Sequence, residues 1–278
     1  MIQAPDIGKV ILEHTADSHV IELPFGLGEW RLPGPWYIPG TSIDMAPTKH
    51  VVFMILAAVL VFLTIWYGGR QVAKRHREGT GPRGFGAAVE GMVLFVRDDI
   101  ALGSIGHGGE KFVPLIETLF FFILYCNLLG LLPWGATPTG NLAVTGGLAL
   151  IAFVVIEISG FRALGPKGYL KTIVMVPAGM TGLGAVLMAF IMTPVELIGK
   201  FVKPFALCLR LFANMTAGHF VILSLLGLIF LFANWFIAGG TVAFVLFMML
   251  LELLVAFLQA YIFALLTSVF IGLMQHEH

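Results

Sequence analysis

Apolar runs recur along this chain from residue 50 to residue 274, and that recurrence decides the solvent in which it folds. A soluble core cannot absorb so many long runs, whereas a bilayer accepts each stretch of about 20 apolar residues as a crossing helix. Composition agrees. Of 278 residues, 12% are charged and 58% hydrophobic, where soluble domains carry about 25% charged side chains. The 16 basic and 16 acidic residues balance, leaving no basic footprint for nucleic acid. Cys126 and Cys208 lie inside apolar runs, away from zinc or redox spacing, and read as small buried hydrophobes.

Residues 1–49 are polar and proline-punctuated, without the pattern of a cleaved signal peptide. His14 and His19 lie near Glu13 and Asp17, and a solvated segment accounts for them better than a metal site. The first span is Val51–Tyr67, closed by Gly68-Gly69 and followed by Arg70, Lys74, Arg75, Arg77 and Arg83. Residues 85–105 place Val89, Met92, Val93, Val96 and Ile100 at helical spacing, with Glu90, Arg97, Asp98 and Asp99 between them. That pattern predicts an amphipathic helix lying on the membrane. Leu115–Leu132 and Leu142–Ser159 are the next spans, the latter followed by a basic loop with Arg162, Lys167 and Lys171. Ile173–Met192 is apolar but broken by Pro177, Gly179, Gly182 and Gly184, so it either spans or dips in and returns; the second fits the charges better.

Thr193-Pro194-Val195-Glu196 reads as a helix start, with Thr193 as N-cap and Glu196 completing a capping box. Apolar sequence runs on to Ala233, Asn234 and Gly239-Gly240 mark a turn, and Thr241–Met274 is the last run. The expected fold is all-α: an N-terminal segment over 1–49, then a polytopic membrane domain over 50–278. That domain holds about five crossings, one amphipathic helix and a long tilted hairpin over 193–274. The basic residues cluster over 70–111 and 161–171, and the loops at 133–141 and 234–240 hold none. This puts the N-terminus outside and the C-terminus in the cytoplasm.

As a helix, Thr193–Ala233 would measure roughly 60 Å, about twice the hydrocarbon thickness. Two such helices in succession are poor bundle material but suit wrapping against another object in the membrane. At 100° per residue, Glu196, Lys200, Lys203, Leu207, Arg210, Asn214 and Gly218 fall within about 80° of one another. His219 points to the opposite side from Arg210. On the last helix Glu252 and Gln259 share a face. Pairing His219 with Glu252, or Arg210 with Gln259, centres an antiparallel hairpin at the same turn.

Arg210 is the strongest functional signal. Its guanidinium stays protonated at any biological pH and costs at least ~2.5–3.5 kcal/mol at the centre of a membrane helix. Glu252 is ionisable among apolar neighbours, and His219 titrates near neutrality and suits a proton relay. Glu196 is explained equally by the capping box and by a transport role. Lys200 and Lys203 read as snorkelling side chains, and Glu157 as one reaching the interface near a helix end. Asn127 and Asn214 fit either a wet path or helix–helix glue. No phosphate loop, catalytic triad, metal set or cofactor motif is present in the sequence.

Residues 204–219, Pro-Phe-Ala-Leu-Cys-Leu-Arg-Leu-Phe-Ala-Asn-Met-Thr-Ala-Gly-His, resemble subunit a of F-type ATP synthases. Asn127–Pro133, Asn141–Thr145 and Leu258–Phe263 agree with it. The resemblance implies a stationary, non-catalytic subunit that forms two proton half-channels against a ring of c subunits. Its further partners would be the peripheral-stalk b subunits, the remainder of the complex and membrane lipid, in a bacterial plasma membrane. It implies that Arg210 faces the ring carboxylates with Gln259 beside it. Asn127, His219 and Glu252 would line the outer path, and Asn214 and Glu196 the inner one. No cofactor is implied, and proton and sodium coupling both remain compatible. The rival from the residues alone is a secondary transporter using Arg210 to hold an anionic substrate. Such transporters show repeated halves, which this chain lacks.

Overall fold

The computed structural model describes Gly8 and residues 17–22, 28–34, 36–37, 46–81, 83–132, 135–174, 183–232 and 234–276. Strands β1 (Val20–Glu22) and β2 (Glu29–Arg31) form an antiparallel ribbon, pairing Ile21 with Trp30. Six helical elements follow: α1 (Lys49–Arg77), α2 (Phe85–Leu94, continued through Phe95–Leu102 and Gly103–Ile105), α3 (Val113–Gly130), α4 (Leu142–Ile173), α5 (Leu183–Phe232) and α6 (Trp235–His276). Five of them, α1 and α3 to α6, are long and apolar enough to cross a membrane. The chain is therefore an all-α polytopic membrane protein, as the apolar runs predict. Large apolar side chains such as Phe62, Leu150, Phe190 and Leu250 stay exposed, as lipid-facing positions require.

Several predicted boundaries fail in the same direction, because helices run on where loops or stops are expected. Helix α1 continues through Gly68-Gly69 to Arg77. A Cβ at Gly68 would lie 2.8 Å from Val89 Cγ1, so this glycine admits α2 rather than ending α1. The basic loop predicted after Ser159 is helical to Ile173, with a kink at Gly165 (φ +68°) next to Pro166. Thr193 is not an N-cap: α5 begins at Leu183, and Pro194 and Pro204 both lie inside it. Leu183–Met192 is thus the first part of the long helix rather than a separate hairpin, while 175–182 lie outside the described residues. Membrane helices tolerate internal proline because neighbouring groups re-satisfy the freed carbonyls.

Gly239-Gly240 is helical too. The stop lies at Asn234, whose Oδ1 accepts from Phe236 N–H at 3.0 Å and caps α6. The amphipathic reading of 85–105 holds: Val96, Ile100, Ala101 and Ile105 are buried, and Arg97, Asp98 and Asp99 are exposed. Over Phe95–Leu102 this helix widens to π geometry.

The chain forms two compact units. The first comprises Met1–Glu90, Phe121–Val144 and Leu211–Ala260; the second comprises Gly91–Phe120, Thr145–Arg210 and Tyr261–His278. In the first, Ile21 and Leu32 of the ribbon pack with Phe53, Ala57, Cys126, Leu129 and Ala136. In the second, Cys208 is buried with its Sγ 3.4 Å from Thr145 Oγ1. Both cysteines are free and buried. Of the two N-terminal histidines, His14 lies outside the described residues and His19 donates to the Pro47 carbonyl.

Candidate functional site

In the first unit, α5 and α6 run past one another after the Asn234 stop, and the helical period brings His219 to Glu252. His219 Nδ1 lies 3.3 Å from Glu252 Oε1. The same nitrogen is 3.2 Å from the Met215 carbonyl, which can only accept, so Nδ1 carries the hydrogen. On the far side of the ring, Nε2 lies 3.1 Å from Thr137 Oγ1. In the neutral ring the Thr137 hydroxyl then donates to Nε2. The carboxylate is buried at 7% exposure, and its approach to His219 falls short of good hydrogen-bond alignment, leaving Oε1 under-satisfied. It is accommodated by Gly218, where a Cβ would lie 2.6 Å from Oε1.

One register also serves a second pair: Asn214 Nδ2 donates to Gln259 Oε1 at 3.1 Å, and Gln259 is buried. Its Nε2 has no partner among the described residues. Asn127 is fully buried, donating to the Ala256 carbonyl at 3.1 Å and accepting from Thr139 Oγ1 at 2.7 Å. That places it one helical turn along α6 from Glu252, as a tie between α3, α6 and the 137–140 turn. His219, Met215 and Thr216 line a pocket with His50 and residues 135–137 and 140. Sequence reasoning missed His50 and Thr137. His50 sits in the first turn of α1, before the apolar run begins, and Thr137 in a turn without periodicity.

In the second unit, Glu196 lines a cleft of about 70 Å³ together with Glu157, Lys200, Lys203 and Phe270. Lys200 does not snorkel. It is buried at 8% exposure, its Nζ is 3.5 Å from Glu157 Oε2, and it lies over the Tyr169 ring at 4.5 Å. Glu157 is not at a helix end either; it sits within α4 and accepts from the Tyr169 hydroxyl. A buried charge needs a partner more than it needs an interface, and this one has two. The single face predicted on α5 divides accordingly: Lys200 and Leu207 are buried, whereas Lys203, Arg210 and Asn214 are exposed. Arg210 has no ion-pair partner among the described residues and stands next to exposed Leu209 on an apolar helix.

Arg210 thus stands unpaired among the described residues on an exposed, apolar part of α5, and His219 follows it nine residues along the same helix. The ATP synthase A chain family matches residues 51–272 of this chain. The chain belongs to that family. It is 48% identical to "ATP synthase subunit a" of Chloroherpeton thalassium over 268 residues, covering 96% of this chain and 77% of that one. It is 49% identical to the subunit a of Myxococcus xanthus over 249 residues, covering 87% and 78% of the two chains. With "ATP synthase subunit a 2" of Chlorobaculum tepidum the identity is 44%, over 96% and 72%. As a member of the ATP synthase A chain family, the protein is a multi-pass, membrane-sector component of the complex, in the proton-translocating rather than the catalytic part.

Proposed function

We propose that this chain is the stationary subunit a of a rotary F-type ATP synthase, coupling proton flow to rotation of a ring of c subunits. The observation that carries this reading is Arg210. A permanent cation on an exposed, apolar helix face, unpaired among the described residues, calls for a negative partner from outside the chain. A carboxylate carried past it in the membrane is such a partner. At about 4 Å and an effective dielectric of 20, the attraction is about 4 kcal/mol, more than the translocon cost of placing an arginine there.

Protons from outside would reach a ring carboxylate through the first unit, past His219 and Glu252, with Asn127 holding the surrounding turn in place. They would leave toward the cytoplasm past Asn214 and Glu196. The driving force is about 2.3 kcal/mol per charge per 100 mV, plus the pH gradient. The placement of Lys and Arg puts the 1–49 segment outside and the C-terminus in the cytoplasm of a bacterial plasma membrane. Peripheral-stalk b subunits and lipid would cover other exposed faces.

Cysteine cross-linking tests the partner. Cysteines introduced one at a time at Ala206 and Ala213, one turn to either side of Arg210, should form disulfides with cysteines flanking the carboxylate of the copurifying ring subunit. Failure at both positions, in complexes that retain the ring, rejects this face as the ring contact.

A further inference from the structure

The pocket behind His219 has a second histidine in its wall, and that histidine has a second side. His50 is buried, with 5% of its side chain exposed. Its Nδ1 donates to the Thr137 carbonyl at 3.1 Å, which leaves Nε2 as the open ring position. Asp17 Oδ1 lies 3.7 Å from Nε2, and the Asp17 side chain is one-third exposed (33%). The carboxylate is held in place by Ser18 N–H at 3.1 Å and Asn141 Nδ2 at 3.2 Å. The pocket has a volume of about 30 Å³, room for about one water molecule. Its wall includes Thr216, whose buried Oγ1 has no partner among the described residues. A histidine kept only for packing needs the Thr137 bond alone. This one also spans the distance between a partly exposed carboxylate and a pocket that it shares with Thr137, Thr216 and His219.

We infer that Asp17 and His50 form the proton-collecting entry of the path that ends on Glu252. The inference rests on the outer path proposed above. A proton taken from the medium by Asp17 passes to His50 Nε2. The doubly protonated ring releases its Nδ1 proton to a water in the pocket. That water protonates the Thr137 hydroxyl as the hydroxyl gives its own proton to His219 Nε2. His219 then yields its Nδ1 proton to Glu252 Oε1. One proton enters at Asp17 and one arrives at Glu252; only N–H and O–H bonds change, and both rings reset by tautomer exchange. The charged and titratable groups around His50 are Asp17 from the N-terminal segment, Lys49 beside it on α1 and His219 from α5, with Glu252 of α6 behind His219.

The test uses the whole ATP synthase complex containing this chain, reconstituted in liposomes, with proton-driven ATP synthesis measured against the pH of the entry side. His50→Asn keeps a donor for the Thr137 carbonyl but cannot carry a proton through. In complexes assembled to the wild-type level it should slow synthesis by about tenfold or more. Imidazole added on the entry side should restore a measurable part of the rate to His50→Ala. Asp17→Asn should slow synthesis most when the entry side is alkaline and protons are scarce. Wild-type rates for His50→Asn at every pH overturn the inference, as does an assembled His50→Ala complex that imidazole leaves unrescued. Glu252→Gln run in parallel separates the two claims. If it slows transport while His50→Asn does not, only the entry is wrong; if neither does, the outer path fails as well.

Discussion

At the residue scale, Glu252 sits where a methyl group on position 218 would collide with it. The 2.6 Å separation between a Gly218 Cβ and Oε1 leaves Gly218→Ala only one outcome: the carboxylate must move, and with it the 3.3 Å approach to His219. Misplacing a reacting group by about 1 Å costs up to about 10²-fold in rate. Gly218→Ala should therefore reduce proton-driven synthesis by at least tenfold, roughly 1.4 kcal/mol, without loss of the assembled complex. Gly146→Ala is the control, because its Cβ would meet Cys208 Sγ at an ordinary 3.9 Å. Equal rates for the two variants would mean that Glu252 has slack the geometry denies it. The His219–Glu252 contact was legible in the sequence, since the midpoint of the two positions falls at the turn beside Asn234, where two helices folding back bring them level. His50 and Thr137 were not. A residue in a first helical turn and one in a loop carry no periodicity, and only the folded chain brings them to the same pocket.

At the scale of elements, apolar periodicity located every long helix but not where it stops. In water Gly68-Gly69, Gly165-Pro166 and Thr193-Pro194 would each be a plausible terminus. In a membrane the cost of an unsatisfied backbone group keeps the helix going through Gly68-Gly69 and Thr193-Pro194, and at Gly165 (φ +68°) the chain kinks and resumes helix at once. The same low dielectric explains why Lys200 and Glu157 find each other inside the second unit, where the sequence suggested two independent interfacial side chains. Removing one partner leaves the other charge buried, with a penalty of about 3–5 kcal/mol for a fully buried pair and less here, since Glu157 is 19% exposed. Lys200→Met and Glu157→Gln should each lower the thermal stability of the complex. The double variant should recover part of the loss, giving an interaction energy of about 1 kcal/mol or more in a double-mutant cycle. Strict additivity would show that the pair is not coupled.

At the scale of the whole molecule, the proposed orientation follows the placement of Lys and Arg, and five crossings would carry the two ends to opposite sides of the membrane. A reporter fused after His278 should be active only in the cytoplasm; activity outside would require one helix fewer or more to cross. The central claim, however, concerns Arg210. In the proposed mechanism, a ring carboxylate leaving its proton-accessible position would have to ionise before it passed the subunit, and a fixed cation would lower the energy of that ionised state. The same cation would repel a proton attempting to pass directly between the two proposed paths. Lysine is a poor substitute, because its ammonium can lose a proton when desolvated and lacks the planar fork. The decisive measurement compares coupled ATP synthesis with passive proton leak in reconstituted complexes carrying Arg210→Ala. Synthesis should vanish while leak through the membrane sector rises above wild type. Proton-driven synthesis at near the wild-type rate, with the membrane sector still tight, would contradict the role assigned to Arg210.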